Sequence, residues 1–390
     1  MIDQLKKHSC TGCNACYNIC PQDAISMVPD DDGFWHPVIQ YEKCNQCDLC
    51  SIKCPVISGL DSDNFTSPLV YAAWNNDEAI RLSSTSGGIF TALASYIIGI
   101  GGYVVGVKYN EDFTVAHCIV NNLQGIEKLK QSKYVQSNIG LIYRELKNLL
   151  FSGKIVLFCG TPCQNAGLLI FLGEKHQNLF LCDFICRGVI SSKVYKKYID
   201  MLEDKYHSKI KCIQFKNKSY GWNRFSTLVE FQNGKKYIRD RYSDLYMLGY
   251  LEHNLYLRPS CHHCSYKKLP RIADISLGDF WGISKTRPSL DDDKGTSVMI
   301  INSIKGHQLF NSIENNIYSE ERELNEVIRE NGCLFKSVPV GKYRDDFFRN
   351  LSRMKFDIAL KKAVKAFFGM RIKKKISSII KNNSEIFIIL

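Results

Sequence analysis

Proline is scarce, at 10 of 390 residues, and the 26 glycines follow no repeat, so collagen-like and low-complexity classes are excluded. The first residues, MIDQLKKHSC, lack the apolar stretch of a secretory signal. No G-x-G-x-x-G followed by an acid some way on, and no P-loop, can be found anywhere in the chain. A nicotinamide dinucleotide site of the usual kind is therefore not expected. Little in the chain looks like a membrane span. The stretch that comes nearest is IFTALASYIIGIGGYVVGV (89–107), 19 residues without charge, but Gly99, Gly101 and Gly102 interrupt it. It reads as a buried helix turning through glycines into a core strand, not as a span of the roughly 20 residues a bilayer needs.

What the chain has in excess is cysteine, 17 in all. An odd number cannot pair completely. With no export signal, the thiols are expected to stay reduced in the cytoplasm and to serve as metal ligands. Charge is polarised. The net formal charge is +12, yet residues 1–65 carry 4 Lys/Arg against 9 Asp/Glu, and residues 346–390 carry 11 against 3. This predicts an acidic module (1–65), a core (66–345) and a basic tail (346–390).

The acidic module contains Cys10-x2-Cys13-x2-Cys16-x3-Cys20-Pro21 and Cys44-x2-Cys47-x2-Cys50-x3-Cys54-Pro55. Both follow the two-cluster bacterial ferredoxin pattern, in which the fourth cysteine of each run serves the other cluster. Cys10, Cys13, Cys16 and Cys54 are thus assigned to one [4Fe–4S] cluster, and Cys44, Cys47, Cys50 and Cys20 to the second. Zinc ribbons use paired C-x2-C units instead. Asp30-Asp31-Asp32 reads as a solvated turn and Asp61–Pro68 as a linker.

The core alternates strand and helix patterns, which predicts an α/β fold with a mixed sheet and flanking helices behind a small α+β ferredoxin-like domain. Cys163 and Cys186 follow predicted strands, and Cys261 and Cys264 form a C-x2-C. Cys159 and Cys182 compete for the same places, so six thiols vie for a four-ligand site that suits a third cluster or a zinc ion. Cys118, Cys212 and Cys333 read as ordinary buried cysteines. Ser86-Gly87-Gly88 and Gly160-Thr161-Pro162 each open a helix, where free N–H groups attract anions, although a simple cap explains either turn as well.

Six segments, SSTSGGIFTAL (83–93), SKYVQSNIG (132–140), VLFCGTPCQNAGL (156–168), LCDFICRGVISS (181–192), RPSCHHC (258–264) and DISLGDFWGI (274–283), resemble in sequence and order the family of coenzyme F420 hydrogenase/dehydrogenase beta subunits. The resemblance implies a flavoprotein oxidoreductase with FAD beside a [4Fe–4S] cluster held by Cys163, Cys186, Cys261 and Cys264. It implies flavin contacts from Ser86, Gly87, Gly88, Lys133, Tyr134, Gln136, Gly160, Thr161, Pro162, Arg187 and Asp279, with Trp281 lining the same cleft. Members often carry His where Arg187 stands and Pro where Ile190 stands. A His-to-Arg change replaces a titratable group by a fixed cation. The implied partners are a redox protein or a small electron carrier, and some bacterial members accompany polysaccharide genes. An alternative is an electron-relay protein that docks on a catalytic partner through its acidic face.

Residues 355–381 hold nine Lys/Arg and one Asp, with Ile358, Val364, Phe367, Phe368, Ile372, Ile376 and Ile379 at near-helical intervals. Such a helix suits peripheral contact with an anionic membrane at its inner face, or packing on the core with a solvated basic side. Nucleic acid is not expected, because no aromatic platform interleaves the charges.

Overall fold

The computed structural model describes residues 1–364. The first domain holds one antiparallel hairpin, β1 (Ile25–Pro29) with β2 (Trp35–Ile39), and two short helices, Ala15–Ile19 and Leu49–Ile52, that follow the cysteine loops. The core begins with β3 (Leu69–Asn75), β4 (Tyr103–Tyr109), β5 (Val115–Val120), β6 (Val156–Cys159) and β7 (Leu179–Phe184). Then follow β8 (Ile210–Asn217), β9 (Ser226–Phe231), β10 (Lys236–Asp240), β11 (Ile275–Asp279), β12 (Ser297–Ile301) and β13 (Ile317–Glu321). Eight of these make one mixed sheet in the order β13-β3-β12-β11-β7-β6-β4-β5. Neighbours β4, β6, β7 and β11 run parallel, while β5, β12 and β13 are antiparallel to the strands they join.

Burial explains the mixed sheet. Every residue of β12 (SVMII) is buried, as a strand covered on both faces requires. The two-residue period splits β6: Leu157 packs against the helix Ile89–Gly99, whereas Val156 and Phe158 pack against Ile142–Phe151 and Pro162–Leu172. Helices on both faces thus follow from the alternation. The stretch 89–107 is the expected buried helix running into a strand, and among the described residues no helix is long and apolar enough to cross a membrane.

A second layer is the antiparallel sheet β10-β9-β8, packed on the helix Ser192–Tyr206. The core extends past position 345. The helix Arg344–Leu351 buries Phe347, Phe348 and Leu351, and Phe356, Ala359, Leu360 and Ala363 join the same apolar cluster. That buried face differs from the one expected from Ile358, which is exposed. So the start of the basic tail packs on the core; positions 365–390, with Phe367, Phe368, Ile372, Ile376 and Ile379, lie outside the described residues.

Two acidic segments are occupied rather than solvated. The Asp32 carboxylate pairs with Arg344 at 2.8 Å, and its carbonyl accepts from Ser191 Oγ. The Asp31 and Gly33 carbonyls accept from Lys193 Nζ and Ser192 Oγ, and Phe34 is fully buried in the core's apolar cluster. The loop is therefore a plug that seats the first domain on the helix Ser192–Tyr206. The expected linker is strapped down as well: Asn64 Nδ2 donates to the Arg271, Ile272 and Ala273 carbonyls, and Phe65 N to the Asn302 carbonyl.

Candidate functional site: a row of thiols ending at a cationic cleft

Cysteine loops in the first domain wrap two cavities. One is lined by Cys10, Cys13, Cys16 and Cys54, together with Ile2, Leu5 and Val56. The other is lined by Cys20, Cys44, Cys47 and Cys50, with Met1, Ile25 and Leu49. The structure thus sets Cys54 beside the first three cysteines of the first run, and Cys20 beside those of the second. The tight loops need left-handed residues, and Asn14 and Asp48 supply them at φ 63° and 57°. Burial pushes the Cys13 thiol up to about 12, with Cys10 and Cys54 adding to the rise. Thiols so placed ionise at neutral pH only when a metal compensates the charge. The second cavity is nearer solvent, since Gln46, Cys47 and Asp48 are exposed.

In the core, four of the six competing thiols come together. Cys163 lies close to Cys264, Cys186 and Cys261, and burial drives it well above the ordinary thiol range. The same desolvation, reinforced by neighbouring thiols, raises Cys186 to about 12 and Cys261 to about 11. Cys159 and Cys182 instead face each other across the β6–β7 register, and the Cys182 thiol donates to the Asp183 carbonyl. Among the described residues no three His, Cys, Asp or Glu side chains converge to hold a single ion. The third thiol set stands beside the first. Gly167, one helical turn after Cys163, is so close to the first domain that an added Cβ would fall 3.0 Å from Cys13 Sγ. Tyr266 borders Cys13, Cys54, Cys163 and Cys264, and the Tyr143 hydroxyl donates to the Cys13 and Gln164 carbonyls.

Beyond this row, the C-terminal ends of the parallel strands form an edge where open α/β sheets bind ligands. Asp279 ends β11. Its Oδ2 accepts from Lys216 Nζ at 2.9 Å and its Oδ1 from Trp222 Nε1 at 2.8 Å. Lys216 lies over the Phe225 and Trp281 rings, at 3.9 and 4.6 Å. The Tyr134 hydroxyl sits in the field of Asp279, Arg241 and Arg187. Arg187 Nη2 is bonded to the Leu251 carbonyl and Asn254, but Arg187 Nε and Arg241 Nε are buried without a partner. The edge thus gathers aromatic rings and cations around Asp279, with two guanidinium donors to spare, and is the candidate ligand cleft.

A family profile for the C terminus of the "Coenzyme F420 hydrogenase/dehydrogenase, beta subunit" matches residues 153–327, and one described as "4Fe-4S dicluster domain" matches residues 9–57. The chain is thus similar to the coenzyme F420 hydrogenase/dehydrogenase beta subunits through its core and to dicluster ferredoxins through its first domain. It is 22% identical over 281 residues to one of the subunits of the F(420)H(2) dehydrogenase of Methanosarcina mazei, covering 69% of this chain and 75% of that one. An uncharacterised ferredoxin of Methanocaldococcus jannaschii is 31% identical over 49 residues, covering 13% of this chain and 62% of that protein. A solved chain from the F420-reducing [NiFe] hydrogenase complex of Methanosarcina barkeri aligns at 19% identity and a TM-score of 0.45, over 77% of this chain and 92% of its own.

The beta-subunit motifs divide by location. Asp279, Trp281, Tyr134 and Arg187 meet at the cleft. The Ser86-Gly87-Gly88 turn borders it, and Lys218 Nζ, donating to the Ser86 carbonyl, ties the turn to the second layer. Gly87 is fixed by crowding, because an added Cβ would fall 2.4 Å from the Ala73 carbonyl, and its N–H is taken by Ser297 Oγ. Lys133 turns away: its ammonium caps the carbonyls of Leu129, Lys130 and Gln131, and burial lowers it to about 7. Gln136 faces the first domain, where its Oε1 accepts from Arg258. Gly160-Thr161-Pro162 is a helix start with a capping box between Thr161 and Gln164. The Thr161 hydroxyl lies 3.1 Å from Cys163 Sγ, so this turn serves the thiol site. The motifs alone did not single out Lys216, Arg241, Tyr266 or Arg258. Arg258 opens the RPSCHHC motif and was legible there only as an adjoining residue.

Proposed function

We propose that this chain is an iron–sulfur flavoprotein oxidoreductase that exchanges electrons between an organic hydride-type substrate, deazaflavin-like in chemistry, and a row of three [4Fe–4S] clusters. FAD in the cleft would supply the conversion between two-electron hydride chemistry and the single electrons that clusters carry. What suits such a cofactor is the set of donors: the unpaired Nε groups of Arg187 and Arg241 could serve phosphate or an anionic ring. Around it, Lys216 and Trp222 hold Asp279 in one orientation, and Lys218 holds the Ser86 turn.

The observation that carries the reading is the helix Pro162–Leu172. It presents Cys163 to the core thiols and, about 6 Å further along its axis, Gly167 to Cys13. The thiol sets therefore follow in order from the cleft: Cys163, Cys186, Cys261 and Cys264; then Cys10, Cys13, Cys16 and Cys54; then Cys20, Cys44, Cys47 and Cys50. The exposed Gln46–Asp48 loop places the last set where a redox protein can reach it. That exposure also favours a second reading, an electron relay serving a separate catalytic partner. Turnover of a hydride donor by the purified chain with an artificial acceptor separates the two.

Anaerobic purification should yield about twelve irons and matching acid-labile sulfide per chain, and one heat-released flavin. Replacing Cys163 and Cys186 by Ala should leave about eight irons, whereas Cys159→Ser should leave all twelve. Iron that stays near twelve in the double variant overturns the core ligand set, and an extract without flavin overturns the flavoprotein.

A further inference from the structure

Arg258 is fully buried, among the largest such side chains in the molecule. Its three hydrogen-bonded nitrogens all meet neutral acceptors. Nε donates to the Cys10 carbonyl at 2.7 Å, Nη1 to Gln136 Oε1 at 3.1 Å and Nη2 to the Trp35 carbonyl at 2.9 Å. Its backbone belongs to the other side of the seam. The Arg258 carbonyl accepts from Cys261 N at 2.9 Å, and Arg258 caps the short helix Pro259–His263 that carries Cys261. One residue thus holds a thiol of the first-domain set through its side chain and a thiol of the core set through its main chain. Its positive charge acts on both, favouring the thiolate of Cys10 and of Cys261.

An uncompensated buried cation is costly, and such groups are ordinarily paired with a carboxylate. Here the Asp30 carboxylate, itself paired with His36, supplies part of the compensation, and thiolate-ligated clusters on either side would supply the rest. A four-thiolate [4Fe–4S] cluster is anionic and gains a further negative charge on reduction, so a nearby cation favours the reduced form and raises the potential. We propose that Arg258 is the positioning residue that sets the potentials of two clusters together, the Cys10/Cys13/Cys16/Cys54 cluster and the core cluster, and so keeps electron transfer across the domain seam close to level. This rests on the three-cluster reading above.

The test is an anaerobic redox titration, followed by electron paramagnetic resonance, on wild type and two variants. Arg258→Gln removes the charge. Gln136→Glu leaves Arg258 in place and neutralises it with a carboxylate at hydrogen-bond distance, a pairing that the fold should tolerate. Both variants should lower the two seam potentials, while the potential of the Cys20/Cys44/Cys47/Cys50 cluster stays at its wild-type value. Iron near twelve with unmoved seam potentials in Gln136→Glu overturns the proposal, as does an equal shift of all three clusters. Should Arg258→Gln lose iron, Gln136→Glu decides. Wild-type iron near eight overturns the three-cluster reading itself, and the proposal with it.

Discussion

The dicluster domain and the sheet core bury different chemistry. In the first, Cys16, Cys20, Cys50 and Cys54 make up half of the buried cluster, beside Ile2, Ala24, Ile25 and Ile39. In the core, the layer between the sheet and the helices Ile142–Phe151 and Pro162–Leu172 is built from Tyr143, Leu146, Val156, Phe158, Leu168, Phe171 and their neighbours, with no cysteine in the buried cluster. A domain of this small size cannot close an adequate apolar core by itself, so it relies on metal cross-links. The core has area enough to fold on its carbon. One region relies on metal for its assembly and the other on buried carbon.

The most severe test of that contrast is iron removal. Chelation under reducing anaerobic conditions should unfold the hairpin and cysteine loops on either side of Phe34, while the sheet persists. Hydrogen exchange read by mass spectrometry should show lost protection in residues 1–29 and 35–57 and retained protection in 139–172. Equal loss in both would mean that the clusters also hold the core.

Phe34 stands on the boundary, coming from the first domain but buried in the core cluster. Phe34→Ala should cost about 3–5 kcal/mol, the usual range for a fully buried phenylalanine. Because its partners are core residues, the loss should appear in the denaturation midpoint of the core, with iron content kept. Loss of iron with an unchanged core midpoint would move Phe34 back to the dicluster domain.

The core also carries an acid sensitivity that does not depend on iron. Burial of His117 on β5 lowers its imidazole from the usual value to about 3. The unfolded chain takes up this proton first, so stability falls as pH drops from about 6.5 towards 3, and is fully present above that window. His117→Leu should flatten this part of the stability–pH curve of the iron-free protein, measured by urea denaturation at a series of pH values. An unchanged slope would exclude His117 as its source.

Thr161→Ala should have the smallest effect. Loss of a threonine cap costs about 1 kcal/mol. The core midpoint should shift slightly, and the spectrum of the core cluster should change more than that of the dicluster pair, because only Cys163 loses a neighbouring hydroxyl.

Most of the fold could be read from the chain because its signals are local. The strands Tyr103–Tyr109, Val115–Val120 and Leu179–Phe184 each coincide with a short, largely apolar run in the chain. Residues 236–240 and 275–279 were harder to read as strands: the first is short and largely polar, and the second lies inside a motif whose glycine and aspartate mask the alternation. The site was legible in part. Asp279, Tyr134 and Arg187 meet at the cleft, whereas Lys133, Gln136 and Thr161 have other partners, since adjacent residues of one motif can point to opposite sides of a seam.

By itself the sequence determined the eight-cysteine module, since two-residue spacings dictate a loop geometry whatever surrounds them, and it determined the α/β class through the alternation of periods. Tertiary structure decided which two of the six core cysteines stand aside. Cys159 and Cys182 lie opposite one another only because β6 and β7 are neighbours in register, and register is a long-range property. It also decided that the acidic loop is a plug, and that an arginine close to Cys261 in the chain reaches Cys10, 248 positions away. Such choices depend on which surfaces are buried together, and the order of residues along the chain does not carry that information on its own.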